Sequence, residues 1–201
     1  MSRSPIFMPP GICVTERRHC RNLLEKRADT TNLQHAEHAA KATLLLPASG
    51  EDLEAATRLA TKALETPRRH WLAPWARLAA ALADYRHGNS AVAVDRCDDA
   101  WALCDKGIWF QQAEILSVRA LALADLGDLE AAEADYEKAS ALLKRAKANA
   151  ESRANVDPMW ADYAICDVLH QEFTEKLAAA DTEEYLAEAR AALENQKQLV
   201  G

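Results

Sequence analysis

An all-α chain is expected from three features of the sequence: its residue usage, a recurring stripe of small residues, and glycines placed where one helix must stop and another begin. Of 201 residues, 49% are hydrophobic and 27% charged, enough apolar material for one substantial core. Six glycines and seven prolines punctuate long runs rich in alanine and leucine, residues that lose little side-chain freedom on entering a helix.

Taken in order, the elements follow from local signals. Residues 1–15, interrupted by Pro5, Pro9 and Pro10, carry no periodic pattern and are expected to be a disordered segment ahead of one helical domain over 16–201. Glu16 to Lys26 and Leu33 to Leu46 read as two helices. Ser49, followed three residues later by Asp52, resembles a capping box and starts the next. There the small-residue stripe begins as Leu53, Ala56, Ala60 and Ala63. It returns as Ser90, Ala93, Cys97 and Ala100, and again as Leu129, Ala132, Tyr136 and Ala139. Offsets of three, seven and ten keep the four positions on one helical face, where small side chains let a neighbouring helix come close.

The second and third stripes are preceded by Ala81–Asn89 (ALADYRHGN) and Ala120–Asp128 (ALALADLGD). Gly88 and Gly127 supply the left-handed backbone that ends one helix, and Asn89 or Asp128 is placed to cap the next through its side-chain oxygen. Asp105-Lys106-Gly107 takes up extra length before Trp109 opens a new helix. The helix from Leu129 runs on to about Ala150, and Asp157-Pro158 starts another, with aspartate as cap and proline in the first turn. Trp160, Tyr163, Ala164, Val168 and Leu169 keep helical spacing toward Leu177. A last helix, about Thr182 to Gln198, has Tyr185, Leu186, Ala189 and Leu193 on one side.

Helix, tight Gly-Asn/Asp turn, then helix with Ala-x3-aromatic-x2-Ala resembles the tetratricopeptide repeat, most closely in Gly127 to Ala139 (GDLEAAEADYEKA). The resemblance implies an α-α superhelix of helical hairpins, about nine helices in all. Its repeat-like units are 33–65, 72–104 and 109–148, with capping helices over 157–198. The stripes recur at 37 and 39 residues against about 34 in the family, so an irregular stack is expected. Four stretches, AEHAAKATLLLP from Ala36, ALADYRHG from Ala81, ALALADLGDLEAA from Ala120 and WADYAICDVLHQEFTEKL from Trp160, also resemble the non-catalytic C-terminal region of planctomycete serine/threonine protein kinases. That resemblance implies a regulatory or scaffolding segment making protein contacts. The chain has no G-x-G-x-x-G loop, V-A-I-K strand, H-R-D-x4-N segment or D-F-G, the parts that position nucleotide and Mg²⁺. The expectation is therefore a non-enzyme, its relation to a kinase one of descent without activity.

A net charge of -7 argues against nucleic acid, which asks for clustered lysine and arginine. No apolar run approaches the roughly 20 residues that span a bilayer, and the N-terminus lacks the apolar core of a secretory signal, so the cytoplasm is the expected compartment and no membrane contact is expected. Five widely spaced cysteines without a C-x-x-C suit reduced thiols, and Cys97, Cys104 and Cys166 suit small buried hydrophobes.

The expected partner is an unidentified protein or peptide, with homo-oligomerisation through an exposed repeat end as the alternative. In tetratricopeptide stacks the first helices line the concave face. The matching positions here are Trp75, Leu78, Leu82, Tyr85 and Arg86 from one unit and Glu114, Ser117 and Leu121 from the next. Trp, Tyr and Arg are the types that most often carry interface energy, although Trp75 beside Pro74 could equally pack on the preceding hairpin. Other constellations are weaker. His35 and His38 with Cys20 are too few for a metal site and read as a solvated helix face. Asp95, Asp98 and Asp99 lie on a helix rather than in a calcium loop. Arg68, Arg69 and His70 form a small basic spot, and a cysteine in a stripe of alanines is hidden rather than nucleophilic. No cofactor and no metal are expected.

Overall fold

A computed structural model describes residues 14–151 and 160–200, with side chains described for 18–149 and 162–182. All elements among the described residues are helical: α1 Val14–Arg27, α2 Leu33–Leu44, α3 Gly50–Ala63, α4 Ala73–Arg86, α5 Ser90–Leu103, α6 Trp109–Asp125, α7 Leu129–Glu151 and α8 Trp160–Val200. The expected disorder of residues 1–13 and the Asp157-Pro158 restart lie outside the described residues, while Val14 and Thr15, expected in the disordered segment, open α1.

Among the described residues eight helices replace the nine expected, because the last two are one. Between Leu177 and Thr182 the chain reads Ala-Ala-Ala-Asp, with neither glycine nor proline to stop a helix, and alanine propagates one better than any other residue. The turns at Gly88 and Gly127 are as read from the sequence, with φ of 76° and 81°. Each is closed by the next residue's N–H reaching back into the finished helix, Asn89 to the Asp84 carbonyl and Asp128 to the Leu123 carbonyl. The caps divide. Asp128 Oδ1 accepts from the Ala131 N–H at 3.3 Å, whereas the side chains of Asn89 and Ser49 cap nothing. Asp52 is instead drawn away by Arg21 of α1, at 2.9 Å.

Packing sorts the helices into two layers. α2, α4, α6 and α8 follow one another in the first, and α3, α5 and α7 lie in the second, each against its own hairpin partner and the next first-layer helix, while α1 covers the open end on α2 and α3. The small-residue stripes form the seam between layers: Ala56, Ala60, Ala63, Ala93, Cys97, Ala100, Ala132 and Ala139 are all fully buried. Tyr136, the large member, stacks on Phe173 of α8 with ring centroids 4.7 Å apart. α4, in the middle, is buried on nearly every side. No helix of the described residues is long and apolar enough to cross a membrane.

Candidate functional site

The first layer curls until its two ends meet. Lys41 of α2 reaches past α4 to Glu114 of α6, at 3.2 Å, and on to Asp162 of α8, at 3.9 Å. Side chains of the first and fourth helices are thus in contact, and the face expected to line a groove is interior. Leu78, Leu82 and Leu121 are core residues, and Glu114 and Ser117 are buried with them. The Ser117 hydroxyl donates to its own helix at the Ala113 carbonyl. Trp75 stacks on Phe110 of α6, which meets Tyr163 of α8 edge-on, and the Lys41 ammonium sits 4.4 Å from the Trp75 ring centre. The open groove expected at these eight residues is therefore filled by the chain itself.

Two polar junctions lie in this interior. At the first, Lys41 is surrounded by Glu114, Asp162 and Glu37, the last at 3.4 Å. Burial alone would lower the lysine's pKa, but three carboxylates outweigh it and hold the ammonium well above its usual range. Glu114 is pushed the other way from a normal carboxylate, up to about 8. Burial is the main cause and Asp162 adds to it, while Lys41 opposes. Its Oε1 has no hydrogen-bond partner among the described residues.

At the second junction the Arg86 guanidinium, 5% exposed, donates to both carboxylate oxygens of Glu172 on α8, at 2.5 and 2.8 Å. It also donates to the carbonyls of Leu44 and Leu45 at the end of α2, each at 2.7 Å. Tyr85 donates its hydroxyl to Glu172 Oε1 at 2.8 Å. Burial, then Glu172, raises the Tyr85 phenol far above its usual value and keeps it a donor. Nearby, Lys176 of α8 pairs with Asp125 at the end of α6.

The residues that sequence reasoning missed are Glu37, Lys41, Asp162 and Glu172. Lys41 had a readable signal, since it follows Ala36, Ala39 and Ala40 on a buried face; Glu172 likewise sits between Leu169 and Phe173. Of the weaker constellations, Asp99 is no free carboxylate: it holds Arg68 at 2.6 Å and Arg77 at 2.6 Å, and Asp98 holds Arg119. The basic spot before Trp71 is thus partly neutralised. His35 lies 3.2 Å from Arg27 and His38 3.3 Å from Glu37, both on the surface of α2. Cys97, Cys104 and Cys166 are buried, and burial pushes all three thiols up.

The fold and site thus define an all-helical stack with a closed, charged interior. The chain matches no protein-family model, and no curated protein or solved structure matches it.

Proposed function

We propose that the chain is a protein-interaction module of the tetratricopeptide-like kind, made to hold an acidic amphipathic helix, and that its own α8 occupies the seat in the closed form. The observation that carries this reading is the Arg86–Tyr85 pair. Two of the residue types most suited to interface anchoring converge on one carboxylate, Glu172, presented by a helix that also buries Leu169 and Phe173. The partner is then a helix offering a glutamate beside an apolar stripe. The likeness to kinase C-terminal regions makes a regulatory or scaffolding role the natural setting.

The test uses a labelled peptide of residues 162–182 titrated against the full-length chain by fluorescence anisotropy. A chain carrying Glu172→Ala and Phe173→Ala, whose own α8 is loosened, is expected to bind the peptide. The unaltered chain, its seat filled, binds it far less. A peptide carrying Glu172→Ala should bind roughly 10–100-fold more weakly, the worth of hydrogen bonds to a charged group. Equal binding to both chains, or indifference to Glu172, refutes the reading.

A further inference from the structure

We infer that the junction of Glu37, Lys41, Glu114 and Asp162 is a proton-dependent latch on α8, which is seated while Glu114 and Asp162 share a proton and loosens as that proton leaves. The inference rests on the reading of α8 as the occupant of the seat, and it names how that occupancy is regulated.

The geometry sets the charge balance. Lys41 brings one positive charge, with its Nζ 3.2 Å from Glu114, 3.4 Å from Glu37 and 3.9 Å from Asp162. Three ionised carboxylates would leave two negative charges uncompensated in a place where Glu37 and Glu114 are fully buried, an arrangement costly in a medium of low polarity. A proton on Glu114 removes one of these charges. It also gives the carboxyl a hydrogen that can turn toward Asp162, the other carboxylate held around the Lys41 ammonium, and so engage the Glu114 Oε1 that has no hydrogen-bond partner among the described residues.

The surrounding groups do not supply a substitute. On α2, His38 touches Glu37 from the surface, its side chain 60% exposed, and brings charge only when protonated. On α8, the Cys166 thiol is held neutral by burial and by the same carboxylates. α4 offers the Trp75 ring over Lys41, and its Arg77 is engaged by Asp99 of α5. Asp98 of α5 and Asp135 of α7 are taken by Arg119, on the far side of α6. Asp162 belongs to α8 itself, so the proton bridges the moving helix to the fixed one.

The direction follows from linkage. Seated, Glu114 keeps its proton to about pH 8; released into water it titrates near 4.3. Between those values opening α8 sheds a proton, so the opening constant rises with pH, up to about tenfold per unit, and levels off above about 8. His170, also on α8, acts in the opposite sense. Burial lowers its pKa, so acid favours its release below about pH 6.5, and the window that isolates Glu114 is 6.5 to 8.

Hydrogen–deuterium exchange of α8 amides in the full chain, corrected for intrinsic rates, reads the latch without any partner. From pH 6.5 to 8 protection should fall by about ten- to thirtyfold, and in Glu114→Gln it should vary by less than about twofold. A flat profile in the unaltered chain, or a retained slope in Glu114→Gln, overturns the inference. Should that variant fail to fold, a carbon-13 titration of glutamate carboxyls in the unaltered chain decides. A glutamate midpoint near 8 supports the latch, and midpoints all in the ordinary range sink it. Neither readout involves the peptide experiment, so the latch and the seat can fail separately.

Discussion

The two junctions that fasten α8 to the rest of the first layer are built on opposite charge balances. At Arg86 one guanidinium meets one carboxylate, a phenol hydroxyl and two backbone carbonyls, and donors match acceptors. At Lys41 one ammonium faces three carboxylates. About ten residues, or roughly 15 Å of helix, separate Asp162 from Glu172 on α8. One helix thus carries both a charge-balanced cluster and an unbalanced one, and burial alone does not decide which kind a charged cluster becomes. The ratio of charges does.

Four substitutions break or sharpen this contrast. The largest loss is expected from Arg86→Ala, which removes the nearly buried guanidinium and leaves a half-buried carboxylate and two carbonyls without it. Urea unfolding should show a cost of about 3–5 kcal/mol, similar at pH 6.5 and pH 8. Lys41→Met should cost about as much at pH 8 but visibly less at pH 5, since carboxylates without their lysine can take up protons. Equal losses at both pH values would show the first junction to be as fixed as the second.

Glu114→Gln should run the other way. The folded chain holds a proton on Glu114 that the unfolded chain releases, so stability drains as pH rises from the ordinary carboxylate range to about 8. Glutamine is spared that loss and should gain about 1–3 kcal/mol at pH 8 and almost nothing at pH 5. A destabilised Glu114→Gln at pH 8 would mean that the carboxylate is needed in its ionised form. The smallest effect belongs to a site outside both junctions. An added Cβ at Gly127 meets nothing within 4 Å, yet its φ is 81°, so Gly127→Ala should cost about 1–2 kcal/mol by thermal unfolding, all of it backbone strain, independent of pH.

What the sequence made legible was local. The stripe through Ala93, Cys97 and Ala100, and the one through Ala132, Tyr136 and Ala139, announce a buried helix face because the helical period is written within ten residues. The glycines at 88 and 127 announce turns because few other residues accept positive φ. The closing of the inner face is not local. It shows only in side-chain contacts between α2 and α8, far apart in the chain, and no local spacing encodes them. Trp75, Tyr85 and Arg86, expected on an open face, instead meet Phe110 and Glu172 of the same chain. Lys41 and Glu172 escaped notice for a related reason: charged side chains are exposed by default, and a buried one reveals itself only through a partner tens of residues away. The continuous α8 was legible in principle, since Ala178 to Ala180 is a poor place to end a helix.

Arg86 has one more consequence, for how the chain folds. α2 finishes at Leu44 with Pro47 close behind and no glycine to fold its last carbonyls back. The carbonyls of Leu44 and Leu45 are satisfied by a guanidinium from the end of α4, where a cation also complements the negative end of the helix dipole. The first hairpin therefore borrows its terminus from the second. It cannot be completed until its neighbour has formed and docked, so nearest-neighbour coupling is written into the backbone itself, and the first two hairpins should appear and disappear as one cooperative unit.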